Sequence, residues 1–414
     1  MNASPKYNIL VGQSGGPTAV INASLYGVIA EGMRHNDRIE IVYGMINGIE
    51  GFLSGRYMEL SRELSLGEIE LLQYTPAAYL GSCRYKLPNE DCDPVYAILF
   101  AKFEELNIGA VFYIGGNDSM DTVSKLSRYA KKIGSSIRFI GVPKTVDNDL
   151  VDTDHTPGYA SAAKYVASTV REICLDSSVY HQRSVTIVEL MGRHAGWITA
   201  ATVLARKYEG DNPLLIYLPE WAFDMEQFAK DVEAAFDHTN NLIVCVSEGI
   251  KDKEGRFLCE YGSQQIGTDT FGHKMLTGCA KVLENFVRER FGVKVRSVEI
   301  NVSQRCSGVI ASQTDIDEAA MSGAFSVRAA MEGYTGKMAS FKRLSDEPYQ
   351  ITCDLLDVDQ ICNREKTFPL EWITGNGSDI SEEFLAYVKP LIKGEPLRRY
   401  QDGLPVYVYR KTCW

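Results

Sequence analysis

The sequence predicts a doubly wound α/β protein, on three observations. Short runs rich in Val and Ile recur along the 414 residues, each runs into a glycine-rich or polar turn, and most turns lead into an amphipathic helical stretch. Parallel strands buried on both faces read this way, and strands alternating with helices make a parallel sheet.

The elements follow in order. Asn8–Val11 leads into GQSGGP and the helical TAVINASLYGVIAEGM. Ala110–Ile114 leads into GGNDS and MDTVSKLSRYAKKI, and Arg138–Val142 leads into PKTVDND. Val185–Leu190 leads into MGRHAG and a helix expected over WITAATVLARK. Leu214–Leu218 precedes PEW and an amphipathic helix near Met225–Phe236, and Leu242–Val246 leads into SEG. In open α/β sheets ligands sit beyond the carboxyl ends of the strands. Each of the polar clusters just named falls at such an end. Past about Asp346 the texture becomes polar and aromatic, which reads as a smaller appended segment.

Composition narrows the function. With 43 Lys and Arg against 54 Asp and Glu the net charge is −11, and there is no basic block, so nucleic acid is not an expected partner. The start has no basic region followed by a long apolar run, and no apolar stretch reaches the roughly 20 residues that span a bilayer. A cytoplasmic protein with no membrane partner is expected. The ten cysteines form no CxxC pair and the six histidines have no HExxH spacing, so no tightly held transition metal is expected.

The clusters admit a chemical reading and a plain one. Gly15 and Gly16 in GQSGGP either let the backbone approach an anion ahead of a helix N-terminus or merely make a tight turn. Asn117 and Asp118 either help to hold magnesium, which takes a few oxygen ligands plus phosphates, or Asp118 caps the next helix. Lys144, Asp147 and Asp149 put more charge into one turn than a turn needs. Arg193 suits phosphate or developing negative charge, or a structural ion pair. Glu248 takes sugar hydroxyls or caps a turn. Arg84, Lys86, Arg296 and Arg305 are ordinary surface cations singly. Anion loops, carboxylates for magnesium, a carboxylate base and arginines are together the parts of phosphoryl transfer to a hydroxyl.

The motifs SGGP, GSCRYK, IGGNDS, PKTVDND, MGRHAG, SEG and SQR, in that order over about residues 7–340, resemble the 6-phosphofructokinase family. The resemblance implies Asp147 as the base toward the sugar 1-hydroxyl and Asp149 as an acidic partner near magnesium. It implies Thr145 as a substrate hydroxyl, and Arg193 neutralising the moving phosphoryl group beside Met191 and Gly192. Glu248 would take sugar hydroxyls and Arg305 the 6-phosphate. Arg296 would reach a neighbouring subunit's site, and Gly15, Gly16 and Arg84 would touch the donor. Asp118 and Lys144 stand where ATP-using members carry glycine. This resembles the pyrophosphate-dependent branch: Asp118 would crowd the α-phosphate of ATP, and Lys144 would polarise pyrophosphate.

The resemblance thus implies reversible transfer from pyrophosphate to fructose 6-phosphate, a step of glycolysis and gluconeogenesis, with Mg2+ at Asn117, Asp118 and Asp149, in a homodimer or homotetramer. The alternatives are ATP as donor, a seven-carbon acceptor such as sedoheptulose 7-phosphate, or a non-catalytic regulatory subunit. The sequence departs from the family in having Asn117 in place of an aspartate and Val302 in place of a histidine, and in the spacing between His181-Gln182-Arg183 and MGR. The implied organisation is a donor lobe of 1–158 plus 306–345, a sugar lobe of 159–305, and an extension of 346–414.

Overall fold

The computed structural model describes residues 5–261 and 278–410. Two sheets organise them. The strands are β1 (Tyr7–Gln13), β2 (Ile39–Met45), β3 (Tyr57–Glu59), β4 (Ile108–Gly115), β5 (Arg138–Pro143), β6 (Ser184–Leu190), β7 (Leu215–Tyr217), β8 (Asn241–Ser247), β9 (Lys294–Glu299), β10 (Lys337–Asp346) and β11 (Tyr349–Asp357). The first sheet runs β11-β10-β5-β4-β1-β2-β3 and the second β7-β8-β6-β9. The five inner strands of the first sheet and all four of the second are parallel, while β3 and β11 are antiparallel edges. This is the α/β architecture that the buried Val/Ile runs imply: β1, β4 and β5 are buried almost throughout. Burying an aliphatic side chain there contributes about 1.5–3 kcal/mol.

The chain passes from the first sheet to the second through helix Tyr159–Ser177 and returns through helix Gln313–Met331. The return helix packs closely on helix Ile21–Arg34. A Cβ on Gly27 would lie 2.0 Å from Ala320 O, and one on Gly323 would lie 2.2 Å from Ser24 O. Asp315 of the return helix accepts from the backbone N–H groups of Gly158 and Ser161, both at 2.9 Å, and so caps the outgoing helix.

Three local readings need correction. The helix expected over WITAATVLARK is one α turn, Trp197–Ala200, followed by a 3-10 turn, Ala201–Ala205. The first long helix begins at Ile21, so residues 14–20 form a loop. The strands β2, β3 and β9 went unread because β3 is only three residues long and charged residues interrupt the apolar runs of β2 and β9. Within 346–414, Tyr349–Asp357 pairs antiparallel with β10 as an edge strand of the first sheet. Phe368, Trp372, Phe384 and Tyr387 pack around Trp197 beside the second sheet.

Candidate active site

Register places the clusters on one rim. Gln13 lies opposite Ile114 and Gly115 opposite Pro143, so the loops after β1, β4 and β5 emerge together. In the other sheet Leu190 lies opposite Ser247, which brings Met191 and Glu248 to a common edge. Between them lies a cleft of about 670 Å³. Gly15, Gly16, Arg84, Asn117, Asp118, Lys144, Thr145, Asp149 and Arg193 all line it.

Lys144 follows β5 directly and is 4% exposed. Its Nζ donates to Gly16 O at 2.6 Å, which ties the turn after β5 to the glycine loop after β1. Burial pulls its pKa down to about 8, against the opposing pull of Asp147 and Asp149, while Arg305 and Arg84 add to the fall. The glycine loop is held from its other side by Ser82, whose Oγ donates to Gly15 O at 2.6 Å. Gly15 N–H donates to Cys83 O at 3.1 Å. That N–H is therefore not a free donor, contrary to the picture of an open anion loop. A Cβ on Gly16 would lie 3.2 Å from Arg305 Nη1, so the glycine leaves room for that guanidinium.

Asp147 and Asp149 flank Asn148, which is fully buried and sits at φ 54. Asparagine tolerates this left-handed geometry better than most residues. Thr145 Oγ1 accepts from Asp147 N–H at 3.1 Å. Burial pushes the Asp147 carboxyl up; Asp149 and Glu248 push the same way, and Lys144 and Arg305 oppose them. Burial also raises Asp149, against its own backbone N–H and the Thr145 hydroxyl. A carboxylate shifted upward is better matched to accepting a proton near neutrality.

From the second sheet, Glu248 Oε1 accepts from Gly192 N–H at 3.4 Å, and Ser247 Oγ donates to Gly192 O. Burial raises Glu248 despite the Gly192 contact and nearby Arg193. Met191 N–H donates to the buried Gln304 Oε1 at 3.2 Å, which links the Arg193 loop to the SQR turn carrying Arg305.

Oxygens suited to a hard cation are present. Asn117 Oδ1 and Asp149 Oδ1 are buried, line the cleft and have no hydrogen-bond partner. Such orphaned acceptors fit a divalent ion that takes one or two protein oxygens plus phosphate. Asp118 stands differently: its side chain is 79% exposed at the rim and pairs with Lys86 at 3.3 Å. Among the described residues no group of three or more His, Cys, Asp or Glu side chains could hold a metal alone.

Two arginines lie elsewhere. Arg296, on β9, pairs with Asp176 at 3.9 Å and does not line this cleft. Arg183 precedes β6, at the sheet end opposite the cleft, and lies over the Phe236 ring at 5.1 Å. Conversely, the sequence reading missed Asn363 and Glu365, which line the cleft from the C-terminal extension. Glu365 contacts His194 at 3.2 Å. Nothing in the NREKT stretch marks them, because a short charged run reads as solvated surface.

Known proteins similar to this chain fall in one family. The family model described as Phosphofructokinase matches residues 8–300. The chain is 41% identical to the pyrophosphate--fructose 6-phosphate 1-phosphotransferase of Halomonas elongata, covering 97% of this chain and 95% of that protein. It is 40% identical to the protein of the same name from Methylococcus capsulatus, with 97% and 95% covered. The crystal structure of a pyrophosphate-dependent phosphofructokinase from Nitrosospira multiformis superposes with a TM-score of 0.89 at 37% identity, over 98% of this chain and 97% of that one.

Proposed function

The chain belongs to the phosphofructokinase family, and from that premise we propose that it transfers a phosphoryl group from pyrophosphate to the 1-hydroxyl of fructose 6-phosphate. The products are fructose 1,6-bisphosphate and orthophosphate. Donor and product differ little in transfer potential, so the reaction runs in both directions.

The observation that carries this reading is Lys144: a buried lysine clamped to the glycine loop at the donor end of the cleft, beside Asp147. An ammonium there supplies a point charge for pyrophosphate oxygens that a glycine would not. Gly15, Gly16 and Arg84 line the same end and contact the donor. Asp147 takes the proton of the sugar hydroxyl. Its carboxylate is a far weaker base than an alkoxide, so the proton moves late, after bond formation to phosphorus is advanced. Arg193 neutralises charge on the phosphoryl group in flight. Thr145, Met191, Gly192 and Glu248 place the sugar, and Arg305 takes the 6-phosphate.

A divalent ion, magnesium by its preference for oxygen and phosphate, fits Asn117 and Asp149; it would supply Lewis-acid neutralisation of the pyrophosphate. Asp118, exposed at the rim, acts on the donor by charge and bulk, excluding a larger nucleotide, rather than as an inner ligand. Arg296 does not line this cleft and is half exposed, which supports its serving a neighbouring subunit in a symmetric dimer or tetramer.

The test is a donor comparison. Purified protein with fructose 6-phosphate and magnesium receives pyrophosphate or ATP, with and without a chelator, and fructose 1,6-bisphosphate is followed. Product with pyrophosphate, almost none with ATP and none with chelator is expected. Product with ATP alone would overturn the donor assignment and leave the acceptor standing.

A further inference from the structure

Behind the cleft, one residue of the C-terminal extension touches both catalytic loops through its backbone. Lys366 N–H donates to Asp149 O at 2.8 Å. Its carbonyl accepts the indole N–H of Trp197 at 3.2 Å. Asp149 ends the loop that carries Asp147; Trp197 ends the loop that carries Arg193. The Lys366 Nζ continues inward and donates to Thr153 O at 3.0 Å and Asp154 O at 2.9 Å.

A second residue repeats the connection. Tyr387 Oη accepts from Asn148 Nδ2 at 3.0 Å and donates to Asp154 O at 2.8 Å. Asn148 is the residue between the two carboxylates, and its Oδ1 accepts from Thr156 N–H at 3.1 Å. The Tyr387 ring packs 5.5 Å from that of Trp197, which also packs 5.1 Å from Phe368. The Lys366 ammonium and the Tyr387 hydroxyl are both engaged with backbone carbonyls of Thr153 and Asp154, so their polar atoms are spent on the protein itself.

The two loops spring from different sheets, and among the described residues no strand ladder joins those sheets. The distance between base and arginine is therefore not set by either sheet. We propose that Lys366 and Tyr387 form a brace that sets the spacing of Asp147 from Arg193, and that the extension is thereby a positioning element of the reaction. The inference rests on the phosphoryl-transfer reading above. Such transfer depends on in-line placement, and misplacement by about 1 Å costs on the order of 100-fold in rate.

The test removes the hydroxyl and keeps the ring. In Tyr387→Phe, kcat should fall about 10- to 100-fold, with KM for both substrates within twofold of wild type. Hydrogen exchange of the peptide spanning 144–150 should rise, with exchange in β7 and β8 unchanged. If Tyr387→Phe does not fold, Trp197→Phe cuts the other end of the brace and should show the same split. A folded variant with kcat within twofold and unchanged exchange overturns the brace, whatever its thermal midpoint. Wild-type protein inactive with every donor, but with exchange rising in the variant, would retain the brace and overturn phosphoryl transfer instead.

Discussion

Lys144→Met isolates the buried cation, and its effects on stability and turnover should have opposite signs. Burial pulls the Lys144 pKa from 10.5 to about 8. That difference corresponds to about 3 kcal/mol held against the charged form in the folded protein. Because the folded value lies below the unfolded one, the unfolded chain binds more protons between those two pH values, and stability rises with pH across that window. At pH 7 both states are protonated and the folded state bears the full cost. Methionine fills similar volume without charge, so the ligand-free variant should unfold no earlier than wild type at pH 7. The gain stays below the 3 kcal/mol ceiling, since Asp147 and Asp149 lose a cationic neighbour and Gly16 O loses its donor. Turnover moves the other way. Removing a preorganised donor aimed at developing charge costs about 100- to 1000-fold in kcat. The assay follows fructose 1,6-bisphosphate formed from pyrophosphate at pH values on both sides of 8, with melting curves on the same samples. Wild-type turnover should fall as pH rises through about 8, while the slow variant lacks that fall. A variant within twofold of wild-type turnover, or one that melts several degrees earlier at pH 7, would refute the reasoning.

Two further predictions concern the residues around it. Asp147→Asn keeps the shape and removes the base, so kcat should fall by about 100- to 10,000-fold with KM within threefold; an active Asn variant would remove Asp147 from that role. The Asp147 carboxyl is raised on folding, so wild-type stability is lost as pH rises above the ordinary 3.8. The variant should therefore melt later than wild type at neutral pH, with the gap closing toward pH 4, as calorimetry would show. Gly249→Ala places a Cβ 2.0 Å from Arg193 O, so the arginine loop must shift. Its kcat should drop by about 100-fold with a lowered thermal midpoint, and full activity would mean that the loop's placement is unimportant.

The sequence alone determined the class of fold and the rim on which the chemistry stands. Both depend on near neighbours: β1, β4, β5, β6 and β8 are continuous buried apolar runs, and a parallel strand must end where its glycine or charge cluster begins. Lys144 beside Asp147 and Asp149 stood out for the same reason, as too much charge for one turn. Tertiary structure decided what each group can do. Asp118 and Asn117 are adjacent in sequence, yet one is exposed against Lys86 and the other has a buried, orphaned oxygen, because they occupy different faces of the same first helical turn. Whether Gly15 N–H is free depends on Cys83, which the chain brings back from 68 positions away. Glu365, Lys366 and Tyr387 reach the catalytic loops across more than 160 residues. A contact of that span leaves no periodicity and no motif in the chain: it exists only once both sheets have formed and the aromatic cluster around Trp197 has closed over them.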